Sequence, residues 1–358
     1  MGRARPRLFA LAALAALACE RAAPLAGPGE VVCRDLDAGW QHTFTGDAAL
    51  ADCVRAPAMQ AEGHRREAWL GPGAFDFGDG RRLELGSGWT LRGAGTDATR
   101  LVASRATFDV FRDGIHSALF VRGAGVTLTG FTFDGFCHTG PSPGPGCEAA
   151  HQNTLLAIVV ACGFGPERPP DCDVDGLVVE DVRVVGAKVP FLATSTPPAP
   201  ERGEPGLYAN FHDLHWTLRR FSVSGRDKSF RYARVFELGN GATAELSQGP
   251  GVGVEAPRRY VIDIEDSDLD VAIGRWGGQL AGVLTMAVND DRVDLTVNLR
   301  RSRWRAAARL VGIANGAVDR DGARGGRATF RAYDAELLAV PAELAHPEAP
   351  PAQRCPPF

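Results

Sequence analysis

Arg122, His212, Glu237 and Asn289 stand at comparable places along this chain, each at or just after the end of a short apolar run. Asp213 and Asp290 follow two of them directly. If the runs are strands lying side by side, these residues form one polar column on an outer face. A column of Arg, His and Glu can hold a carboxylate-bearing polymer and give or take a proton. On that reading Arg122, His212 and Glu237 are catalytic candidates, and Asp213, Asn289 and Asp290 bind. Lys228, one of only two lysines, sits in the basic segment Arg226-Asp-Lys-Ser-Phe-Arg231 and is a further candidate base. The competing reading is a hydrated strand edge with turn residues, because Asp doublets such as Asp290-Asp291 favour turns.

Other residues are chemically suggestive but more local. His138 and His151 lie near Glu148 and Asn153, which would suit a metal. Calcium prefers several carboxylate and carbonyl oxygens, and no compact acidic motif of that kind occurs. No Cys-x-x-Cys pair exists to hold zinc. No cofactor is therefore expected. Gly93-Ala-Gly95 precedes Thr-Asp rather than a helix, so it reads as a chain corner and not as a phosphate loop. Trp40, Tyr208 and Trp276 could stack on sugars, with core or cap packing as the alternative.

The elements that would position these residues come from one repeated phrase, apolar–x–apolar–x–x–apolar–x–apolar. Its copies are Val126 to Phe133, Leu177 to Val184 and Trp216 to Val223. Weaker copies run Ile262 to Leu269, Val297 to Trp304 and Ala328 to Ala335, and Trp89-Thr-Leu91-Arg-Gly begins another. Alternation predicts strands with one buried face. The skipped beat predicts a bend that keeps both halves facing one core. A second apolar run precedes most copies, so one repeat reads strand, turn, strand, bend, strand. The spacing of the copies lies in the range of solenoid and propeller repeats. Only Asp47 to Met59 looks helical, as an N-terminal cap.

The central pairs of the phrase are Glu180-Asp181, Arg219-Arg220, Glu265-Asp266 and Arg300-Arg301, with Asp268, Arg303 and Asp334 further along. Their sign alternates from copy to copy. Opposite charges on neighbouring strands stabilise the pairing. The alternation therefore predicts consecutive copies as direct neighbours in a parallel stack. A propeller, the alternative scaffold, would separate them into blades.

The stretch Arg82-Leu-Glu-Leu-Gly-Ser-Gly-Trp-Thr-Leu-Arg-Gly-Ala-Gly-Thr-Asp-Ala-Thr-Arg-Leu101 resembles the opening coils of right-handed parallel β-helix proteins, the pectate-lyase-like superfamily. Trp69 to Phe75 resembles the strand and turn leading in, and Ser117 to Gly135 the next coil. The resemblance covers Ala68 to Val340. It implies an all-β, right-handed parallel β-helix (a solenoid) with a short N-terminal helical cap, and an extracellular acidic polysaccharide as ligand or substrate. An enzyme of this kind would be a polysaccharide lyase or glycoside hydrolase. The Gly-His-Gly and Arg-Ile-Lys of polygalacturonase-like hydrolases are absent, and Asp290-Asp291 is the only partial match. Fold alone assigns no chemistry. A non-catalytic surface or adhesion protein on the same scaffold is the alternative.

The ends of the chain point to export. Arg3, Arg5 and Arg7 precede an apolar run, Leu8 to Leu17, too short to span a bilayer. It ends in Leu14-Ala-Ala-Leu-Ala-Cys19, which resembles a lipobox with Cys19 as the lipidated residue. The expected division is 1–19 signal peptide, 20–67 N-terminal segment and cap, 68–340 β-helix and 341–358 Pro-rich tail. A membrane would be touched only through the lipid anchor. The formal net charge of -4, with no basic stripe, gives no reason to expect nucleic acid. An extracytoplasmic location (secreted, periplasmic or on a bacterial surface) permits disulfides. The local pairs are Cys33–Cys53, Cys137–Cys147 and Cys162–Cys172, leaving Cys355 over.

Overall fold

The skipped beat of the phrase is one residue with left-handed backbone. Asp181, Arg220, Asp266, Arg301 and Asp334 have φ between 46° and 52°, and Gly130 takes the same place in the first copy with φ 74°. A left-handed residue with a Cβ costs about 1–2 kcal/mol. Hydrogen bonds between repeats offset that cost. The corner N–H of Arg220 donates to the carbonyl of Glu265 at 2.9 Å, that of Asp266 to Arg300 at 3.0 Å, and that of Arg301 to Tyr333 at 3.0 Å. The corner thus turns the chain without leaving its amide unpaired.

The structure is a computed structural model that describes residues 26–46, 48–76, 83–102, 116–134, 155–162, 171–185, 189–194, 210–224, 234–240, 257–271, 282–288, 292–306, 309–314 and 326–339. Apart from one helix, one 3-10 turn and loops, these residues are strands. In the first sheet, Arg66–Leu70, Trp89–Arg92, Thr127–Asp134, Val178–Val185, Leu214–Arg219, Arg258–Glu265, Val293–Arg300 and Arg327–Tyr333 follow one another in chain order. All of these pair parallel. Beyond the corners the same sheet continues through Ser222–Ser224, Asp268–Val271, Arg303–Ala306 and Glu336–Ala339. The runs that precede the phrase form a second parallel sheet, from Leu83–Leu85 through His116–Val121, Leu155–Val160, Val189–Thr194, Arg234–Asn240 and Gly282–Val288 to Arg309–Ala314. Each repeat visits the second sheet, then the first, and moves on by one strand. Parallel pairing of consecutive copies is incompatible with a propeller, whose blades are separate four-stranded sheets.

One apolar core joins the two sheets. Leu91, Leu128, Val179, Leu218, Ile264 and Leu299 occupy one register column and are all fully buried. After the corner, bulk shifts between two inward positions. Phe131, Val182 and Phe221 give way to Ser267 and Ser302, while Trp304 stands two residues further on, fully buried. The Ser267 hydroxyl donates to the Ser302 hydroxyl at 3.0 Å, Ser302 donates to the Arg300 carbonyl at 2.7 Å, and the Trp304 indole N–H donates to Ser267 at 3.0 Å. The phrase looks weaker there because a tryptophan fills the space of two side chains and the buried hydroxyls satisfy one another.

The sixth copy is displaced by two residues from the sequence reading. Val297 pairs with Phe330 and Leu299 with Ala332, so the copy runs Phe330 to Leu337. Ala328-Thr-Phe330 and Phe330-Arg-Ala332 alternate equally well, and the corner at Asp334 decides between them. Arg303 consequently stands beside Glu336, not Asp334, and the signs still alternate.

The N-terminal cap is more than the expected helix. Helix Ala49–Arg55 and the 3-10 turn Pro57–Gln60 bury Leu50, Cys53, Val54 and Met59. Strand Glu30–Asp35 also pairs antiparallel with both Trp40–Thr45 and Arg66–Leu70. The sequence hid that strand because Val31, Val32 and Cys33 are buried in succession, without alternation. The Cys33–Cys53 disulfide ties strand to helix. Arg66, only 5% exposed, pins the cap to the next repeat. It donates to the carbonyls of Met59 and Ser87 at 2.9 and 2.7 Å and lies over the Trp89 ring.

Candidate functional site

The outer face of the first sheet carries its charge in ladders. Glu180, Arg219, Glu265 and Arg300 are register neighbours in that order. Each basic pair reaches back to the acidic pair before it. Arg219 and Arg220 bind Glu180, and Arg220 also binds Asp181. Arg301 bonds Asp266 at 2.7 Å and Glu265 at 3.2 Å, and Arg303 pairs with Asp268. Hydrogen bonds from Arg220 and Arg301 hold the Asp181 and Asp266 carboxyls below their ordinary pKa. The same bonds, from Asp181 and Asp266, push Arg220 and Arg301 up. These arginines are occupied by neighbouring carboxylates and act as structural groups.

A different constellation lies next to the ladder, three to five residues before the corner. Thr217, Asp263, Asn298 and Arg331 form one outward register column. His215, one outward position earlier in its strand, reaches across to Asp263 with Nε2 at 2.6 Å from Oδ2. The Asn298 amide donates to the other carboxylate oxygen of Asp263 at 2.7 Å. The backbone N–H of His215 donates to Asp175 at 2.6 Å. Asp263 is mostly covered, its side chain 18% exposed, whereas the His215 side chain is 61% exposed. In the tautomer that directs Nε2–H at Asp263, Nδ1 is the acceptor of the imidazole. Alternation dictates this arrangement, because both Asp263 and Asn298 are the second residue of their copy of the phrase. That shared place in the phrase is the sequence signal for the site.

Of the residues expected to form one column, the described ones, Arg122, His212 and Glu237, are not register neighbours. Arg122 follows Val121, which pairs with Val160, so its neighbour is Ala161; Arg122 itself pairs with Glu84 at 3.1 Å. His212 is outside the second sheet altogether. It follows the short strand Asn210–Phe211, which pairs with Asp171–Cys172, and its N–H donates to the Cys172 carbonyl at 2.9 Å. Glu237 lies between Leu192 and Thr285 in register. Asp213 is exposed and accepts the Arg259 N–H at 2.8 Å. Differing turn lengths separate these positions, and only strand register could reveal it. Lys228, Asn289, Asp290, Cys19, Cys137 and Cys147 lie outside the described residues, as do His138, His151, Tyr208 and Trp276.

The outer face of the second sheet is chemically unlike the first. Phe120, Val159 and Leu192 are register neighbours there, and Phe120 and Val159 are each 1% exposed. Trp40 belongs to the cap, half-buried and stacked with His42. Gly93 is a corner as expected: a Cβ there would stand 2.3 Å from the Gly130 carbonyl oxygen. Cys162–Cys172 is a disulfide. Among the described residues, no group of three His, Cys, Asp or Glu side chains could hold a metal ion, and no helix is long and apolar enough to cross a membrane.

No protein-family model and no curated protein matches the chain. Among solved structures it is similar to the A-module of the mannuronan C-5 epimerase AlgE4 of Azotobacter vinelandii, at 12% identity over 76% of this chain and 86% of that one, with a TM-score of 0.22. It is also similar to ORF18 of Geobacillus virus E2, at 12% identity over 77% and 53% with a TM-score of 0.23. A third is the catalytic domain of a GH87 α-1,3-glucanase in complex with nigerose, at 11% identity over 85% and 65% with a TM-score of 0.21. Likeness at this level carries no argument about activity.

Proposed function

We propose that this chain is an exported protein whose stacked repeats close into a right-handed parallel β-helix, and that it binds an extracellular polysaccharide along the outer face of the first sheet. The observation that carries the reading is the row His215, Asp263 and Asn298 with Thr217 beside it. Neighbouring strands bring such groups together at about 4.8 Å intervals along the stack. A polymer lying along that axis meets the His215 imidazole and the Thr217 hydroxyl on one strand, then the Asp263 carboxylate and the Asn298 amide on the next two, on a rigid scaffold. Sugar hydroxyls match those groups. The ladder arginines are held by Glu180, Asp181, Glu265, Asp266 and Asp268 and are poorly placed to bind uronate carboxylates. The reading therefore widens from an acidic polysaccharide to one recognised through its hydroxyls, with Arg331 the arginine of the same column that could meet a carboxylate. Two disulfides fit an oxidising compartment and support export. Lipidation of Cys19 is part of the proposal and is read by the mass of the mature N-terminus.

Cleavage is the second reading, favoured by one observation: a histidine held by a buried-edge carboxylate is built to accept a proton. A panel of neutral and acidic polysaccharides separates the readings. Binding that falls about tenfold, roughly 1.4 kcal/mol, in His215→Ala and in Asp263→Ala supports the site. Reducing-end release by the native protein, lost in His215→Ala, would show an enzyme; binding without turnover would show an adhesion or scaffold protein. Unchanged binding when His215, Asp263 and Asn298 are all replaced by Ala sinks the placement, and no binding to any polysaccharide sinks the function.

A further inference from the structure

Among the described residues, only two large apolar side chains are exposed, Tyr333 at 43% and Leu338 at 37%, and both lie in the last repeat. Among the described strands, the last repeat also ends both long sheets. Arg327–Tyr333 and Glu336–Ala339 are the final strands of the first sheet and Arg309–Ala314 is the final strand of the second, with no described strand beyond them. Phe330 and Leu337, which pack on the end of the core, are only partly buried. An open strand edge beside exposed apolar surface is a template for another strand.

We propose that this end of the stack is an interface for a second copy of the chain, the two copies meeting end to end about a twofold axis. The final strand is self-complementary. Antiparallel pairing of Arg327–Tyr333 with itself, centred on Phe330, sets Phe330 against Phe330 and Ala328 against Ala332 on the core side. On the outer side it sets Arg327 opposite Tyr333 and Arg331 opposite Thr329. No like charges stand directly opposite, and Arg opposite Tyr is favourable. Inward positions remain inward in both copies, so the two cores become continuous. The chain's own residues 340–358 are poorly suited to extend the sheet, since six of the nineteen are proline, which cannot donate to a ladder. Pairing onto the Trp40–Thr45 edge of another copy would not close and would grow a filament, whereas the self-pairing closes as a dimer.

The test is the mass of the full mature chain in solution across a wide concentration range. A concentration-dependent dimer is expected, weakened at least about tenfold by Tyr333→Asp with Leu338→Asp while the circular dichroism of the monomer is kept. Hydrogen exchange of the native protein gives a reading that needs no variant: the amides of Ala328, Phe330 and Ala332, which point away from Val293–Arg300, should be protected at high concentration and exposed on dilution. A monomer at all concentrations overturns the proposal. So does a dimer that is indifferent to both substitutions and shows no change at these amides. A monomer that dimerises only after residues 340–358 are removed also overturns it, by making the tail the occupant.

Discussion

At the N-terminal end of the first sheet, the last parallel edge is covered by an antiparallel strand, a helix and a disulfide; at the C-terminal end Arg327–Tyr333 is the last described strand of that row, with its side chains partly or fully exposed. The strands at the two ends have the same kind of open edge to satisfy. The cap satisfies it with buried apolar groups (Leu50, Val54 and Met59) and with Arg66 bonded to three carbonyls. At the far end the described apolar groups that pack on the core, among them Leu310, Val311, Ala328, Phe330 and Leu337, are only partly covered. Because each repeat leans chiefly on its neighbours, stability along such a stack is a sum of local interfaces, and an uncovered terminal repeat frays first.

Removing an apolar side chain from each end, buried in the cap and exposed at the far end, gives the largest contrast. Leu50→Ala in the cap should cost about 2–5 kcal/mol in urea unfolding, because Leu50 is fully buried. Leu338→Ala at the exposed end should stay within about 0.5 kcal/mol in the monomer. Equal costs would mean that the C-terminal end is packed as tightly as the cap. A smaller effect comes from the corners. Asp181→Val, at φ 52° in the middle of the stack, should cost about 1–2 kcal/mol. Asp334→Val, at φ 48° in the last repeat, should lower global stability by less than half as much, since that repeat can open alone. Similar losses at both corners would tie the last repeat into the cooperative unit.

Acid gives the smallest and most regional effect. Hydrogen bonds from Arg220 and Arg301 hold Asp181 and Asp266 below the unfolded value of 3.8. In the cap, burial raises Asp35, but the N–H of Ala38 and the His64 ring outweigh it and its pKa is lowered too. Depressed carboxyls stabilise the fold above their unfolded pKa and lose that contribution as pH falls through their folded pKa. Hydrogen exchange below pH 3.8 should therefore show the middle repeats and the cap loosening. High salt should reduce the ladder's share of this loss more than that of Asp35, which is 1% exposed. A salt effect equal at both places would contradict the distinction.

Much of the fold was legible before any coordinates. The phrase located the strands and the alternating pairs Glu180-Asp181 and Arg219-Arg220 located their neighbours, because alternation and charge are local properties of the chain. The sliding of the sixth copy shows the limit: Ala328-Thr-Phe330 and Phe330-Arg-Ala332 are equivalent as patterns and differ only in what lies alongside. The cap strand Glu30–Asp35 was invisible because burial on both sides erases alternation. The candidate site was the least legible. Arg122, His212 and Glu237 looked aligned when counted from the ends of apolar runs, yet turns of unequal length place them apart.

The sequence by itself determined that this chain is all-β, that its copies stack as parallel neighbours, and that its most conspicuous arginines are paired with acids. Those properties follow from period-two burial and from charge, both written residue by residue. Tertiary structure decided the register, the bulk exchange around Trp304, the difference between the ends, and the meeting of His215 with Asp263 and Asn298. Those depend on contacts between residues 35 to 48 positions apart, and only the stacking of whole repeats brings such residues within a hydrogen bond of each other.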